Sequence, residues 1–400
     1  MLETELRNIS DNCMNGRPVP VEHIEIEKNS LSHIPMFIEE KQYRRVFLIV
    51  DHNTKTAAGE KLKELLNTGG IETEFILLPE DQHGQVKADE ETVMEVFIQV
   101  PSAAECLIAV GSGTIHDITR FVSGKMKIPF ISVPTAASVD GFTSMGAPLI
   151  IKGTKKTFQV SCPIAVFADI DVLQQAPPAL TGAGVGDIAA KFTSLFDWEL
   201  SRLIGGEPYN SWARYMMEDT LYSVKNHIGR IAKRDEEGIK RLMEGLIQSG
   251  LVMMALDYSR PASGAEHHLS HYWEMALLQQ EEKQLLHGAK VGVATGIICD
   301  LYNYYFKQPH KLQLKNEPEW QKRWEENEET IKRQISLLPS SKEITDWLQL
   351  FGAPVTTTEL GLSDELVKES LNNAHYLRDR CTGLKLIHLS RKQILRYPFE

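Results

Sequence analysis

The chain has 400 residues, of which 42% are hydrophobic and 24% are charged, a balance typical of globular proteins. This length exceeds what one hydrophobic core usually organises, so we expect two domains. The 54 acidic and 43 basic side chains give a formal net charge of -11, which disfavours a nucleic-acid partner because phosphate backbones repel acidic surfaces.

The N-terminal segment mixes acidic and basic residues and lacks the apolar core of a signal peptide. No apolar run in the sequence reaches about 18 residues, the length that a membrane span requires. We therefore expect a cytoplasmic protein without membrane insertion. Five widely spaced cysteines, none in a CxxC pair, indicate neither a disulfide framework nor a thiolate zinc site.

Short apolar runs rich in Val, Ile and Phe alternate with polar helical stretches between residues 44 and 170. This alternation is typical of βα units in a parallel sheet. The predicted strands are Val46–Val50, Phe75–Leu78, Cys106–Val110, Phe130–Val133 and Ala165–Ala168. Because open α/β sheets bind ligands at the carboxyl edge of their strands, the first half of the chain is predicted to bind a nucleotide.

Asp51 directly follows the first of these predicted strands. A carboxylate there can accept hydrogen bonds from both hydroxyls of an adenosine ribose and would repel a 2′-phosphate, which favours NAD over NADP. An ordinary turn aspartate explains the position almost equally well.

A glycine-containing loop, Gly111 to Asp117, joins the strand Cys106–Val110 to a predicted helix. Glycine lets backbone N–H groups approach a pyrophosphate at a helix N-terminus, where the helix dipole also favours negative charge. The third glycine of the GxGxxG pattern is absent, so a turn that needs glycine for its geometry alone is an equal alternative.

A second loop, Val133 to Ser144, places small hydroxyl side chains around one acid, Asp140. Such a loop could bind a diphosphate and a nicotinamide carboxamide, with Asp140 receiving a polyol hydroxyl. A polar turn without a ligand would have the same composition.

The Pro- and Gly-rich segment 176–187 predicts a connector, and mainly helical apolar spacing follows it. We therefore predict a dinucleotide-binding α/β domain over residues 1–175 and a helical metal- and substrate-binding domain over residues 176–400. The predicted helices are Ile188–Leu200, Met216–Ile231, Ile239–Ala255, His267–Gln280 and Gly288–Phe306. The highly charged segment Glu317–Gln334 predicts a solvated surface helix with one narrow apolar stripe.

Asp187, His267 and His287, all in the helical half, form a candidate metal site. His267 and His271 lie four residues apart and would share one helix face, while His287 precedes the next predicted helix. Together with Asp187, two histidines would leave an open coordination position, as a catalytic zinc requires. The alternatives are a helix N-cap for Asp187 and interior histidines for His267 and His287.

Five segments follow one another along the chain: GSGTIHD, VPTAASVDGFTS, TGAGVGDIAAK, SRPASGAEHHLSH and LLHGAKVG. Taken in this order, they resemble the landmark motifs of the glycerol-1-phosphate dehydrogenases. This family is part of the superfamily of glycerol dehydrogenase, iron-type alcohol dehydrogenase and dehydroquinate synthase. The chain length and the second segment resemble most the bacterial members found beside arabinose genes.

The resemblance implies a dehydroquinate synthase-like fold, with an α/β nucleotide-binding domain of parallel strands flanked by helices and an all-helical C-terminal domain. It also implies the site residues. The dinucleotide contacts are Gly113, Thr114, Ile115, His116, Asp117, Thr135, Ser138 and Ser144; the substrate contacts are Asp140, His271 and Asp187; the metal ligands are Asp187, His267 and His287. His268 leaves a one-residue ambiguity, and the partner His271 favours His267 as the ligand.

Two relatives differ at this site. Iron-type alcohol dehydrogenases resemble it but carry a fourth histidine ligand where this chain has Lys191, and dehydroquinate synthases have a glutamate in place of Asp187. The resemblance therefore implies a three-ligand dehydrogenase with one divalent metal per chain, zinc or nickel, and with NAD(H) or NADP(H) as the cofactor.

The implied reaction is the reversible reduction of dihydroxyacetone phosphate to sn-glycerol-1-phosphate, a step of phospholipid metabolism. The metal would act as a Lewis acid on the C2 oxygen while hydride is transferred at C2. Asp140 and His271 are the predicted catalytic residues, and His271 would relay a proton or hold a hydroxyl group.

Arg260 is the first candidate for binding the substrate phosphate, and Lys191 is the second. The family suggests a homodimer. The alternatives are a dehydrogenase of unphosphorylated glycerol or related polyols and a non-catalytic, NAD-sensing regulatory protein.

Overall fold

The computed structural model describes residues 2–307, 312–314, 316–390 and 394–398. The chain packs into two compact units. The first unit comprises Met1–Gly184 and Ser223–Asp257, and the second unit comprises Val185–Tyr222 and Tyr258–Glu400. None of the described helices is long and apolar enough to cross a membrane.

The first unit is built on a six-stranded parallel sheet with the strand order β1-β8-β5-β4-β2-β3. A separate antiparallel hairpin pairs β6 with β7. The strands are β1 (His23–Glu27), β2 (Arg45–Val50), β3 (Glu72–Leu77), β4 (Cys106–Gly111), β5 (Phe130–Pro134), β6 (Gly146–Ile151), β7 (Thr154–Gln159) and β8 (Ala165–Asp169).

The helices number seventeen in the described part of the chain. They are α1 (Leu2–Cys13), α2 (Ile34–Glu40), α3 (His52–Thr54), α4 (Glu60–Thr68), α5 (Glu90–Gln99), α6 (Gly113–Met126), α7 (Ile170–Gln175), α8 (Pro178–Ala189), α9 (Lys191–Leu200), α10 (Ser211–Lys233), α11 (Glu236–Leu256), α12 (Ala265–Gln279), α13 (His287–Phe306), α14 (Pro318–Ile335), α15 (Ser341–Gln349), α16 (Asp364–Asn373) and α17 (Gly383–Ser390). The predicted fold class, a parallel sheet flanked by helices followed by a helical region, is confirmed.

Both faces of the sheet are covered, which explains why its central strands read as continuous apolar runs. Alternate residues of β2 enter different cores: Val46 and Leu48 pack on one face, and Phe47 and Ile49 pack on the other. Each such buried side chain stabilises the fold by about 1.5–3 kcal/mol. The five predicted strands are confirmed within a few residues.

The connector predicted over residues 176–187 is wrong, because α8 occupies most of this segment. Pro178 begins the helix, where a missing N–H breaks no hydrogen bond. Gly184 serves close packing, since a Cβ there would lie 2.1 Å from the Ala137 carbonyl oxygen. Glycines that signal a loop in the sequence therefore allow a helix to approach another backbone.

A large hydrophobic core of the second unit is built around aromatic side chains of α13. Tyr302 and Phe306 are fully buried there and pack against Phe196 of α9. The charged helix predicted over Glu317–Gln334 is confirmed as α14, and its buried face includes Trp324 and Ile331.

Candidate metal and nucleotide sites

The turn from β4 into α6 leaves little room for a side chain at Gly111. A Cβ on Gly111 would lie 2.4 Å from Cδ1 of Ile115, which is buried directly beneath it. Ser112 occupies the N-cap of α6 but makes no side-chain capping hydrogen bond. The first-turn N–H groups of Gly113 and Thr114 therefore form a helix N-terminus of the kind that binds phosphate groups.

The side chains of His116 and Asp117 are engaged within the protein. His116 is fully buried, with Nδ1 2.8 Å from the Ser112 carbonyl oxygen and Nε2 2.7 Å from the Ser132 hydroxyl. Burial lowers the pKa of His116 to about 3, so the ring is neutral. Asp117 accepts a hydrogen bond from Arg120 at 2.7 Å. A dinucleotide contact at this loop stays a prediction. We expect backbone N–H groups of the loop to make it, because the side chains of His116 and Asp117 already have partners.

Asp51 caps the short helix α3. Its Oδ1 accepts a hydrogen bond from the Thr54 N–H at 2.7 Å, and its own N–H donates to the Thr54 hydroxyl at 3.0 Å. The turn role weighed for this residue is thus observed, and a ribose contact stays a prediction.

The loop after β5 contains a buried hydroxyl, that of Ser138, for which the described residues offer no hydrogen-bond partner. The Thr135 N–H donates to the Gly111 carbonyl at 3.1 Å, and the Ser144 hydroxyl donates to the Gly141 carbonyl at 3.3 Å. The Ser138 hydroxyl is buried without a hydrogen-bond partner among the described residues. Because an unsatisfied buried hydroxyl costs about 1–3 kcal/mol, Ser138 is a good candidate for a ligand contact.

Arg120 fixes this loop and was not identified from the sequence. Its guanidinium is fully buried and donates to the carbonyl oxygens of Gly141, Phe142 and Gly146. A buried guanidinium needs several acceptors, which these three carbonyl oxygens and the Asp117 carboxylate supply.

Asp140 is nearly buried and is held by a residue distant in sequence. The Ser249 hydroxyl of α11 donates to its Oδ2 at 2.8 Å. The backbone also approaches closely here, since a Cβ on Gly250 would lie 2.5 Å from the Asp140 carbonyl oxygen. Asp140 is therefore rigidly placed, and its contact with a substrate hydroxyl stays a prediction.

In the second unit, the structure brings Asp187, His267 and His287 together. Each offers one ligand atom, and the three atoms lie within 4.8 Å of one another. His267 Nε2 is 3.7 Å from Asp187 Oδ1, close to the separation of about 3.4 Å between neighbouring ligands of a tetrahedral zinc. These residues fit a divalent metal, and His268 is not in the group.

Helix termini create this cluster. Asp187 lies in the last turn of α8, so the N-cap alternative for it is wrong, and His287 is the first residue of α13. A Cβ on Gly186 would lie 2.2 Å from the Gly288 carbonyl oxygen. The glycine thus allows the end of α8 to approach the start of α13, which places Asp187 beside His287.

Glu266 orients the His267 ring and was missed by sequence reasoning. His267 Nδ1 lies 2.7 Å from Glu266 Oε1, so Nδ1–H donates to the carboxylate and Nε2 keeps its lone pair for a metal. Glu266 is fully buried and also accepts from the Thr193 hydroxyl at 2.7 Å and the Gly264 N–H at 2.6 Å. The carboxylate–histidine pair is a common support of metal sites.

Asp187 is held in its charged form. Burial raises its pKa, but the Lys191 ammonium, followed by the neighbouring His267 and His287, outweighs burial, so the pKa is lowered overall. Lys191 is fully buried, with Nζ 2.9 Å from the Asp187 carbonyl oxygen and 3.4 Å from Oδ1. A charged lysine cannot supply a fourth ligand, so the described cluster has three.

His271 lies beside the cluster. Its ring centroid is 6.1 Å from that of His267 and 5.9 Å from that of His287. Its Nδ1 is 3.3 Å from Glu274 Oε2, which is also 3.6 Å from the buried Lys290 ammonium. Glu274 therefore orients His271 much as Glu266 orients His267, and sequence reasoning missed it too.

Arg260 already has an acidic partner. Its Nε donates to Glu207 at 2.7 Å, and its guanidinium lies over the Tyr258 ring at 5.2 Å. The contact of Arg260 with a substrate phosphate stays a prediction.

A family model described as iron-containing alcohol dehydrogenase matches residues 25–177, the part of the chain that contains the parallel sheet. The chain is similar to a crystal structure of glycerol dehydrogenase from Schizosaccharomyces pombe, with a TM-score of 0.64 over 93% of this chain and 85% of that chain. The sequence identity of 18% makes this a likeness of fold alone.

Curated relatives are much closer in sequence. The chain is 43% identical to the glycerol-1-phosphate dehydrogenase (NAD(P)+) of Bacillus subtilis (strain 168), over 96% of this chain and 95% of that protein. It is 45% identical to the enzyme of the same name from Bacillus licheniformis, over 93% of this chain and 90% of that protein. The chain belongs to the glycerol-1-phosphate dehydrogenase family, which confirms the resemblance seen in its motifs.

Proposed function

We propose that the protein catalyses the reversible, NAD(P)H-dependent reduction of dihydroxyacetone phosphate to sn-glycerol-1-phosphate. The observation that carries this proposal is the cluster of Asp187, His267 and His287, with Glu266 fixing the ring of His267. The close similarity to glycerol-1-phosphate dehydrogenases over nine tenths of both chains supports the choice of substrate.

The three clustered residues would hold one divalent cation, for which we propose zinc, with nickel as the alternative. One carboxylate and two neutral imidazoles leave a net positive charge and an open position, so the cation would supply Lewis-acid polarisation of a ketone oxygen. Glu266 keeps the His267 ring in the tautomer that metal binding needs.

His271 is proposed to hold or move a proton at the substrate. When its Nδ1–H donates to Glu274, Nε2 can accept a proton from a hydroxyl or, once protonated, return it to an oxygen. Asp140 is proposed to accept a hydrogen bond from a substrate hydroxyl, and Asp51 to favour NAD(H) over NADP(H).

The test is an absorbance assay of NADH oxidation with metal-replete protein and dihydroxyacetone phosphate, run beside unphosphorylated dihydroxyacetone. We expect oxidation with the phosphorylated ketone and none in the Asp187→Asn variant, whose metal content is measured in parallel. Activity with the free ketone alone would favour a polyol dehydrogenase, and binding of NAD without turnover would favour a regulatory protein.

Three finer assignments belong to the same proposal. Elemental analysis of the purified protein distinguishes zinc from nickel, and the ratio of kcat/KM for NADH and NADPH tests Asp51. We also propose a homodimer in the cytoplasm, which light scattering at low protein concentration and cell fractionation would test.

A further inference from the structure

Two guanidinium groups of the second unit converge on one hydroxyl. Arg378 Nη1 lies 3.2 Å from the Ser259 Oγ, and Arg380 Nη2 lies 3.0 Å from the same atom. Arg380 also donates through Nη1 to the Ser263 carbonyl oxygen at 2.9 Å. Both arginines lie between α16 and α17, and the serines lie just before α12.

This convergence carries an excess of positive charge. Among the described residues, neither Arg378 nor Arg380 forms an ion pair with an acidic side chain, whereas nearby Arg260 is paired with Glu207. Burial, followed by the charges of Arg378 and Arg260, lowers the pKa of Arg380 to about 9. Burial also lowers the pKa of Arg378. An anion bound here would offset the repulsion between the guanidinium charges and would stabilise the charged form of both arginines.

Two buried polar groups beside the arginines have no hydrogen-bond partner in the described part of the chain. The Ser263 hydroxyl is one, with its residue 7% exposed, and the ring of His268 is the other, with its residue 1% exposed. Ser263 contacts Arg380 through its carbonyl, and His268 is within electrostatic reach of both arginines. A ligand with several acceptor oxygens would satisfy donors of this kind.

The arginines contact the segment that leads into the helix of the candidate metal ligand His267. The Ser263 carbonyl oxygen, which accepts from Arg380, belongs to a residue four positions before His267. The first N–H groups of α12 already have acidic partners, because Gly264 N–H donates to Glu266 at 2.6 Å and Ala265 N–H donates to Asp197 at 2.8 Å, so the positive potential here comes from the arginines.

We propose that Arg378 and Arg380, together with the hydroxyls of Ser259 and Ser263, bind the phosphate group of the substrate. Two guanidinium forks can each present paired donors to a phosphate, which a lysine cannot do. Arg260 then contributes charge from its place beside Glu207. Lys191, the other candidate from the sequence, is fully buried against Asp187. The inference rests on the proposed function, because it names the group that selects its substrate.

The first test measures the binding of inorganic phosphate to the metal-replete protein by isothermal titration calorimetry. Arg378→Gln and Arg380→Gln should each weaken binding by about tenfold to hundredfold, as expected when a charge-assisted hydrogen bond is lost. Arg333→Gln, which makes the same charge change at an exposed position of α14, is the matched control and should bind like the wild type.

The second test compares two ketones. For both Gln variants, KM for dihydroxyacetone phosphate should rise by about tenfold or more, and the ratio of kcat/KM for the phosphorylated ketone to kcat/KM for the unphosphorylated ketone should fall by a similar factor. Added phosphite should accelerate the reaction of the free ketone in the wild type and not in the variants. If a Gln variant fails to fold, Arg380→Lys keeps the charge without the fork and should show a smaller rise in KM.

The outcomes separate the two proposals. Arginine-dependent phosphate binding without reduction of dihydroxyacetone phosphate would refute the proposed function and leave the anion site in place. Reduction of dihydroxyacetone phosphate with an unchanged KM in folded Arg378 and Arg380 variants would overturn the anion site alone. An equal loss of activity with both ketones, accompanied by a lower Tm, would show that the arginines only hold the fold together.

Discussion

At the scale of single residues, the candidate metal centre depends on side chains that do not themselves reach the metal. Glu266 faces Nδ1 of His267, and Glu274 faces Nδ1 of His271. In both pairs, Nε2 is therefore the ring nitrogen that points away from the carboxylate. The contacts of these two acids could not be predicted, because an acid one or three residues from a histidine in the sequence can adopt many orientations. Asp187 and the ligand histidines, in contrast, lie in recognisable motifs.

Replacing Glu266 tests this support. Glu266→Gln keeps the shape of the side chain but removes its charge, which makes the His267 ring less basic as a ligand. We expect metal affinity to fall by about 10–100-fold, measured by competition with a chromophoric chelator. Thr193→Val removes only one hydrogen bond to the same carboxylate and should have a smaller effect. Unchanged affinity in Glu266→Gln would show that the acid serves packing alone.

His271 is expected to act on the substrate and not as a metal ligand. The His271→Gln variant should retain its metal, because the three ligand atoms of Asp187, His267 and His287 remain in place. Its turnover should fall by about 10²–10⁴-fold, the usual contribution of a general acid or base. Metal content and kcat measured on one preparation decide the matter, and a parallel loss of both would assign His271 to the metal.

At the scale of helices and strands, prediction succeeded where a run of apolar residues marks the element and failed where none does. The central strands β2, β4, β5 and β8 are mainly apolar and buried, and the edge strand β3 ends in an apolar run, so all five were recognised. The edge strand β1 has the sequence HIEIE, and β7 is largely exposed, so neither has that signature. Helix α8 was hidden by its glycines, whose close contacts come from segments distant in the sequence.

The glycine at the end of α8 provides a direct test of close packing. In Gly186→Ala, the new Cβ would meet the Gly288 carbonyl oxygen at 2.2 Å, and backbone atoms must move. We expect a loss of about 1–3 kcal/mol in the free energy of unfolding, together with weaker metal binding as Asp187 is displaced. Gly229→Ala in α10 is the control, because its Cβ would contact nothing within 4 Å. This control should be neutral or stabilising by about 0.4–1 kcal/mol.

At the scale of the whole molecule, the similarity to glycerol-1-phosphate dehydrogenases extends over more of the chain than the motifs do. The motifs lie between residues 111 and 292, whereas the match to the Bacillus subtilis protein covers 96% of this chain. The arginines that we assign to phosphate lie beyond the last motif, in the segment Arg378 to Arg380. Such a site is formed by the return of the C-terminal segment to the start of α12, which local patterns cannot predict.

Asp197 connects four helical segments of the second unit and should make stability depend on pH. Its Oδ1 accepts from the Tyr302 hydroxyl at 2.6 Å and the Gly383 N–H at 2.7 Å, and its Oδ2 accepts from the Ala265 N–H at 2.8 Å. Burial, with a smaller effect of the Glu266 charge, raises the pKa of Asp197 to about 7. The folded protein therefore holds a proton here that the unfolded chain, with a pKa near 3.9, releases at a lower pH.

Because the folded-state pKa is the higher one, the contribution of this proton to stability is complete below about pH 4 and is lost as pH rises through about 7. The Asp197→Asn variant cannot titrate. We therefore expect the difference in Tm between the variant and the wild type to change steadily between about pH 5 and pH 7, in favour of Asn as the pH rises. Every other titratable group is the same in the variant and the wild type, so the pH dependence that these groups cause cancels in the difference in Tm. A constant difference across the range would mean that Asp197 stays charged in the folded protein, balanced by the three hydrogen bonds that it accepts.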